Sequence, residues 1–175
     1  MPFNLENSIQ ILERTPEVLE ALLSGLSDDW TKVNEGGESW SPNDIVGHLL
    51  HGERTDWIAR MEIILSEGPE RRFTPFDRFA QFDESKGKSL EELLDEFKVQ
   101  RKKSITILRS KNLDEILLNR EGIHPKFGEV TLRQLLSTWV AHDLAHLAQI
   151  ARVMAKQYKT DIGPWIEYMP IMTRK

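Results

Sequence analysis

Apolar residues recur along this chain at helical spacing, three and four apart, and no run alternates with period two for long enough to predict a strand. An all-α protein is expected. A first amphipathic segment covers residues 5–24 and stops at Gly25. Thr15-Pro16 in its middle suits an N-cap followed by proline at a first helical position, so a short helix and a restart are predicted. A second helix opens at Trp40-Ser41-Pro42-Asn43-Asp44-Ile45. Ser41 caps it, Pro42 fits the first turn, Asp44 complements the positive helix end, and Trp40 packs on Ile45 as a hydrophobic staple. It runs to Ser66, ahead of the stop signal Gly68-Pro69. The third helix starts at Ser89 with a capping box to Glu92, carries the apolar stripe Leu90, Leu93, Leu94, Phe97, Ile105 and Leu108, and fades near Ser110. In the fourth, Thr131 and Gln134 form a capping box, Val130 and Leu135 a staple, and the helix reaches Lys156.

Two connections remain. Residues 67–88 carry Phe73, Phe76, Phe79 and Phe82 three apart, read as the core packing of a short helix rather than as a substrate wall. A turn-rich stretch with His124-Pro125 and Gly128 precedes the fourth helix, and a tail with Gly163-Pro164-Trp165 is expected to pack over one end. Four long amphipathic segments in 175 residues predict a single domain built as a four-helix bundle with a long connection between helices two and three.

Composition narrows the chemistry. The chain has no cysteine, which removes disulfides, zinc ribbons, iron–sulfur clusters and cysteine nucleophiles, and fits a reducing, cytoplasmic setting. With 23 Lys+Arg against 28 Asp+Glu the net charge is −5, which argues against nucleic-acid partners. The basic clusters Arg71-Arg72 and Arg101-Lys102-Lys103 lack interleaved aromatics and read as solvated faces. Residues 138–155 are the most apolar stretch, but His142, Asp143, His146, Gln149 and Arg152 interrupt it, so no membrane span is expected. The amino terminus from Met1 has no basic region followed by an apolar run and does not read as a signal peptide.

The histidines carry the remaining signal. On the fourth helix the inward stripe runs Leu135, Trp139, His142, His146, Gln149, Val153, so two imidazoles at i and i+4 project from one face, within reach of one metal ion. On the second helix Ile45, His48, Leu49, Gly52 and Asp56 share a face, with Gly52 leaving space one turn beyond His48. The candidate metal ligands are therefore His48, His142 and His146. A single histidine on an apolar stripe is ordinarily a hydrogen-bonded core residue, but three unpaired imidazoles facing inward from two helices are costly unless something binds them. His51 could substitute as a ligand, although the pocket rim or the surface is its expected place, and His124 reads as a loop residue. Asp143 points away from the ligand face, toward another helix or a neighbour it orients. Gln149 reads as a buried structural amide, while Glu53 and Asp56 could accept hydrogen bonds from the ligand rings. The His-Glu-x-x-His motif of zinc proteases is absent because Asp143 follows His142.

The segments Trp40-Ser41-Pro42-Asn43-Asp44-Ile45-Val46-Gly47-His48-Leu49, Thr131-Leu132-Arg133-Gln134-Leu135-Leu136 and Trp139-Val140-Ala141-His142-Asp143-Leu144-Ala145-His146 resemble the DinB-like superfamily over nearly the whole chain. That superfamily of four-helix bundles includes YfiT-type bacillithiol transferases and mycothiol-dependent maleylpyruvate isomerases. The resemblance implies a divalent metal, zinc or nickel, on His48, His142 and His146, and a homodimer. His51 departs from it, standing where many members carry an acidic residue. An open three-histidine site, taken with the thiol-transferase members of the superfamily it resembles, implies a metal-dependent transferase that activates a low-molecular-weight thiol toward an electrophilic substrate. Hydrolysis of a small ester or amide, or a non-catalytic module stabilised by its metal, are the alternatives.

Overall fold

Asn4, Ser41, Ser89 and Thr131 set where the four long helices begin, each accepting a hydrogen bond from a backbone N–H of the first turn. Full capping boxes form at Ser41 with Asp44, Ser89 with Glu92 and Thr131 with Gln134. A computed structural model of the protein describes residues 2–68 and 70–173, so Met1 and the expected stop at Pro69 lie outside the described residues.

The long helices are α1 (Leu5–Leu23), the pair α3 (Pro42–Thr55) and α4 (Trp57–Leu65), α6 (Leu90–Ser110) and α8 (Leu132–Lys156). Short helices α2 (Asp28–Thr31), α5 (Ala80–Glu84) and α7 (Glu115–Leu118) lie in the connections, and two 3₁₀ turns at Gly163–Tyr168 and Pro170–Met172 form the tail. Helices α1 and α3 each pack on both α6 and α8, which closes the expected four-helix bundle, and the second 3₁₀ turn packs against α8.

Three local expectations are corrected. Helix α1 does not restart at Pro16 but continues through it. The proline removes the N–H that would bond the Leu12 carbonyl, and the guanidinium of Arg101 takes that carbonyl instead, with Nη1 donating over 2.6 Å. The second helix is not continuous to Ser66. At Asp56 the backbone leaves the helical path (φ −112°, ψ −70°), and the re-aimed α4 lets Trp57 stack on Trp139 at 5.8 Å. The bundle also carries two strands, β1 (Glu121–His124) and β2 (Gly128–Thr131), paired antiparallel with Gly122 opposite Val130. Ile123 of β1 further exchanges backbone hydrogen bonds with Arg71 and Phe73, which anchors the long connection to the hairpin. Gly122 is required there: a Cβ would stand 2.6 Å from the Phe73 ring and 2.8 Å from Ile64.

The core is divided. One apolar cluster gathers around Leu12, Trp57, Phe73 and Trp139, and the other around Leu19, Leu49, Phe97 and Ile150. Between them, at mid-height on every long helix, lies a layer of buried polar side chains. Its centre is Arg101, which was expected on a solvated face and is 2% exposed. From α6 it reaches three other helices: Leu12 on α1, Glu53 on α3 and Asp143 on α8.

Candidate metal centre

His48 comes from the middle of α3, while His142 and His146 come from consecutive turns of α8. The ring nitrogens converge. His142 Nε2 lies 3.1 Å from His48 Nε2 and 3.1 Å from His146 Nε2, and one nitrogen from each ring lies within 4.8 Å of the others. Three ligands around a tetrahedral zinc at about 2.0–2.1 Å stand roughly 3.3 Å from one another, so the spacing fits a single ion.

Electrostatics suits that role. Burial, reinforced by the neighbouring His146, holds the protonation of both His48 and His142 down to about 3, and burial lowers that of His146 as well. All three rings are neutral near pH 7, as ligation requires. His146 directs Nδ1 to Gln149 Oε1 at 2.9 Å, which places its proton on Nδ1 and the lone pair of Nε2 toward the cluster. Gln149, read as a structural amide, thus orients a ring of the cluster. The buried Nδ1 atoms of His48 and His142 have no protein partner among the described residues.

Glu53 and Asp56 do not accept from those nitrogens as expected. One oxygen of Glu53 takes Arg101 and the indole N–H of Trp139, and Asp56 pairs with Arg60. Burial raises the pKa of both carboxyls against the pull of these cations. Asp143 faces α6 and binds Arg101 through two oxygens, one of its expected roles. His51 is not at the rim. It is 4% exposed, and its Nδ1 lies 2.9 Å from Glu84 Oε1 on α5, outside the cluster.

Aromatic rings enclose the cluster. Trp40 stands 4.8 Å and Phe76 5.7 Å from the His48 ring, and Trp57 stands 5.1 Å from His142. Two cavities adjoin it. One of about 290 Å³ is lined by His48, His142, Trp57, Phe76 and Arg78, and one of about 560 Å³ by Trp40, Phe79, Phe82 and Gln149. The phenylalanine series therefore departs from its expected packing role: Phe73 alone enters the core, and the other three line these cavities. His124 also lines the smaller cavity, with Nδ1 accepting from the backbone N–H groups of Lys126 and Phe127. Its expected loop position is a strand end, and no hydropathy pattern marks the cavity behind it.

A helical bundle with inward histidines at this spacing defines a class of metal-site bundles, and the sequence identifies which. The family profile described as the DinB superfamily matches residues 11–150, most of the chain, and the protein belongs to that superfamily. A solved structure of YfiT from Bacillus subtilis, described as a probable metal-dependent hydrolase with an unusual four-helix bundle topology, matches with a TM-score of 0.74 and 22% identity over 89% of this chain and 90% of that one. That likeness establishes the fold. No curated protein matches the sequence. No helix among the described residues is long and apolar enough to cross a membrane.

Proposed function

We propose that His48, His142 and His146 hold one divalent metal ion, zinc or nickel, and that the protein is a metal-dependent transferase acting on a low-molecular-weight thiol and a small electrophile. The observation that carries this reading is the convergence of three neutral imidazole nitrogens beside a cavity of about 290 Å³ whose wall carboxylate, Asp56, is paired with Arg60. An ion on three histidines keeps a coordination position open and lowers the pKa of the thiol or water it takes up. A thiol needs little further help, since its free pKa of about 8.5 is already near neutral. Water starts near 15.7 and calls for a positioned base. Glu53, Asp56 and Glu84 are each committed to a cation or to His51, which favours the thiol. In the transfer the S–H proton leaves to solvent, a new S–C bond forms, and the electron pair displaced from the electrophile takes up a proton. The aromatic wall of Trp40, Trp57 and Phe76 excludes water and offers flat surface to the electrophile. The same reading carries the expected homodimer and, with no thiol in the chain, a reducing cytoplasmic setting.

Hydrolysis of a small ester or amide is the second reading. It is favoured by the placement of Asp56, with its raised pKa, on the wall of the cavity that holds His48 and His142. Elemental analysis of untagged protein after zinc addition is expected to give one ion per chain. Metal-loaded protein with monochlorobimane and a panel of bacillithiol, mycothiol, glutathione and coenzyme A is expected to exceed the His142→Ala control with at least one thiol. No rate above that control with any thiol, together with hydrolysis of p-nitrophenyl acetate lost in Asp56→Asn, establishes the second reading instead.

A further inference from the structure

We propose that Arg78 is a substrate-binding residue that holds a carboxylate or phosphate of the substrate beside the three-histidine cluster. The reactive end of that substrate rests on the metal reading above, but the oxyanion contact does not. Arg78 is the residue common to the walls of both cavities, the one of about 290 Å³ at the histidines and the one of about 560 Å³ beyond Trp40. It therefore marks the point where the two spaces meet. Its guanidinium lies over the Phe79 ring, 4.6 Å from the centroid, a stacking that fixes the plane and leaves the in-plane N–H fork for a planar or tetrahedral oxyanion. No carboxylate among the described residues stands within ion-pair distance of it. The other arginine of the smaller cavity, Arg60, is tied to Asp56.

Arg78 shares the wall of the smaller cavity with His48 and His142, so its charge stands beside the cluster. Glu38 is the carboxylate on the wall of the larger cavity, so the oxyanion belongs at the Arg78 end of that space. A substrate that fits both facts is a small molecule with its reacting atom at the histidines and an anionic group one cavity away. Such a ligand would be positioned through two points, which aligns the reacting atom as well as binding it.

The test uses binding to the untagged protein in both zinc-loaded and metal-free forms, read by the fluorescence of Trp40 and Trp57 and by calorimetry. The probes are succinate, inorganic phosphate, mercaptosuccinate and 2-mercaptoethanol. Metal-free protein is expected to bind succinate or phosphate, the tighter of the two naming the oxyanion, and Arg78→Ala is expected to weaken that binding about tenfold while Arg78→Lys recovers part of it. Arg14→Ala, an exposed arginine bonded to the Gln10 carbonyl on the outer face of α1, leaves it unchanged. On zinc-loaded protein mercaptosuccinate is expected to bind about tenfold tighter than 2-mercaptoethanol, an advantage that Arg78→Ala abolishes. Equal affinities of wild type and Arg78→Ala for every probe overturn the proposal, as does a failure of metal-free protein to bind either anion. If zinc does not bind but succinate binding still depends on Arg78, the metal reading fails and the oxyanion site stands. If zinc binds and Arg78 has no effect, the oxyanion site fails alone.

Discussion

An imidazole presents one nitrogen to a metal only when the other carries the proton, so the partner of the second nitrogen governs ligand quality. Gln149 does this for His146. Replacing it by leucine is expected to weaken zinc binding about 10- to 100-fold, measured by competition with a chromophoric chelator, whereas Gln149→Glu restores or strengthens it. Zinc affinity unchanged in Gln149→Leu would show that the ring is oriented by packing alone. Arg101 makes a different residue-scale point. A guanidinium shared between Glu53 and Asp143, with the Leu12 carbonyl as a further acceptor, is stabilising only as a complete set. Arg101→Met leaves two buried carboxylates without their cation, and urea unfolding is expected to show a loss of about 3–5 kcal/mol. Its burial was illegible in the sequence because a basic run of three reads as surface, and its acceptors lie 42, 48 and 89 positions away.

At the scale of elements, legibility follows how local the determining forces are. The starts of α3, α6 and α8 were readable because a cap and its partner sit within three residues of each other. The hairpin was not. Strands of four residues with glycines at positions 122 and 128 are too short for a period-two pattern, and their pairing is completed by residues 71–73 from another part of the chain. The burial of His51 is illegible in the sequence for the same reason, since its partner Glu84 sits on a short helix inside the long connection. The loop after α2 illustrates what such non-local ties contribute. Glu35 is held by Arg152 and Lys156 of α8, and the hydrogen bond from Arg152, above all, lowers its pKa from 4.5 to about 2. A carboxyl with a depressed folded pKa stabilises fully above its unfolded value and loses that contribution as pH falls through the folded one. The contribution of Glu35 is thus complete above pH 4.5 and fades toward pH 2. Glu35→Gln is expected to lie about 2 kcal/mol below wild type at pH 7, after allowance for solvent screening, and to converge with it near pH 2 in urea titrations. A constant gap across that range would mean the loop is held by packing instead.

For the whole molecule, the division of the core has a mechanical consequence. Each apolar cluster joins several helices by itself, so the bundle does not depend on the histidines to fold. With an ion on the three histidines, as proposed, the site can therefore keep an open coordination position, and the ion would join α3 to α8. Metal-free protein is accordingly expected to melt cooperatively in the presence of a chelator. Zinc held as proposed would bind the folded state through residues 94 positions apart, which the unfolded chain does not bring together, so the ion is expected to raise the melting temperature by mass action. At a free zinc concentration about 100 times Kd the stabilisation is about 2.7 kcal/mol, or roughly 5–10 °C for a chain of this size. His48→Ala removes the α3 contribution and is expected to abolish most of that increment while leaving the chelator-treated melt close to wild type. Loss of folded structure on metal removal would instead assign the ion a structural role and take away the basis for an open, reactive site. A zinc increment that survives in His48→Ala would mean that His142 and His146 hold the ion from α8 alone, which the inward placement of His48 argues against.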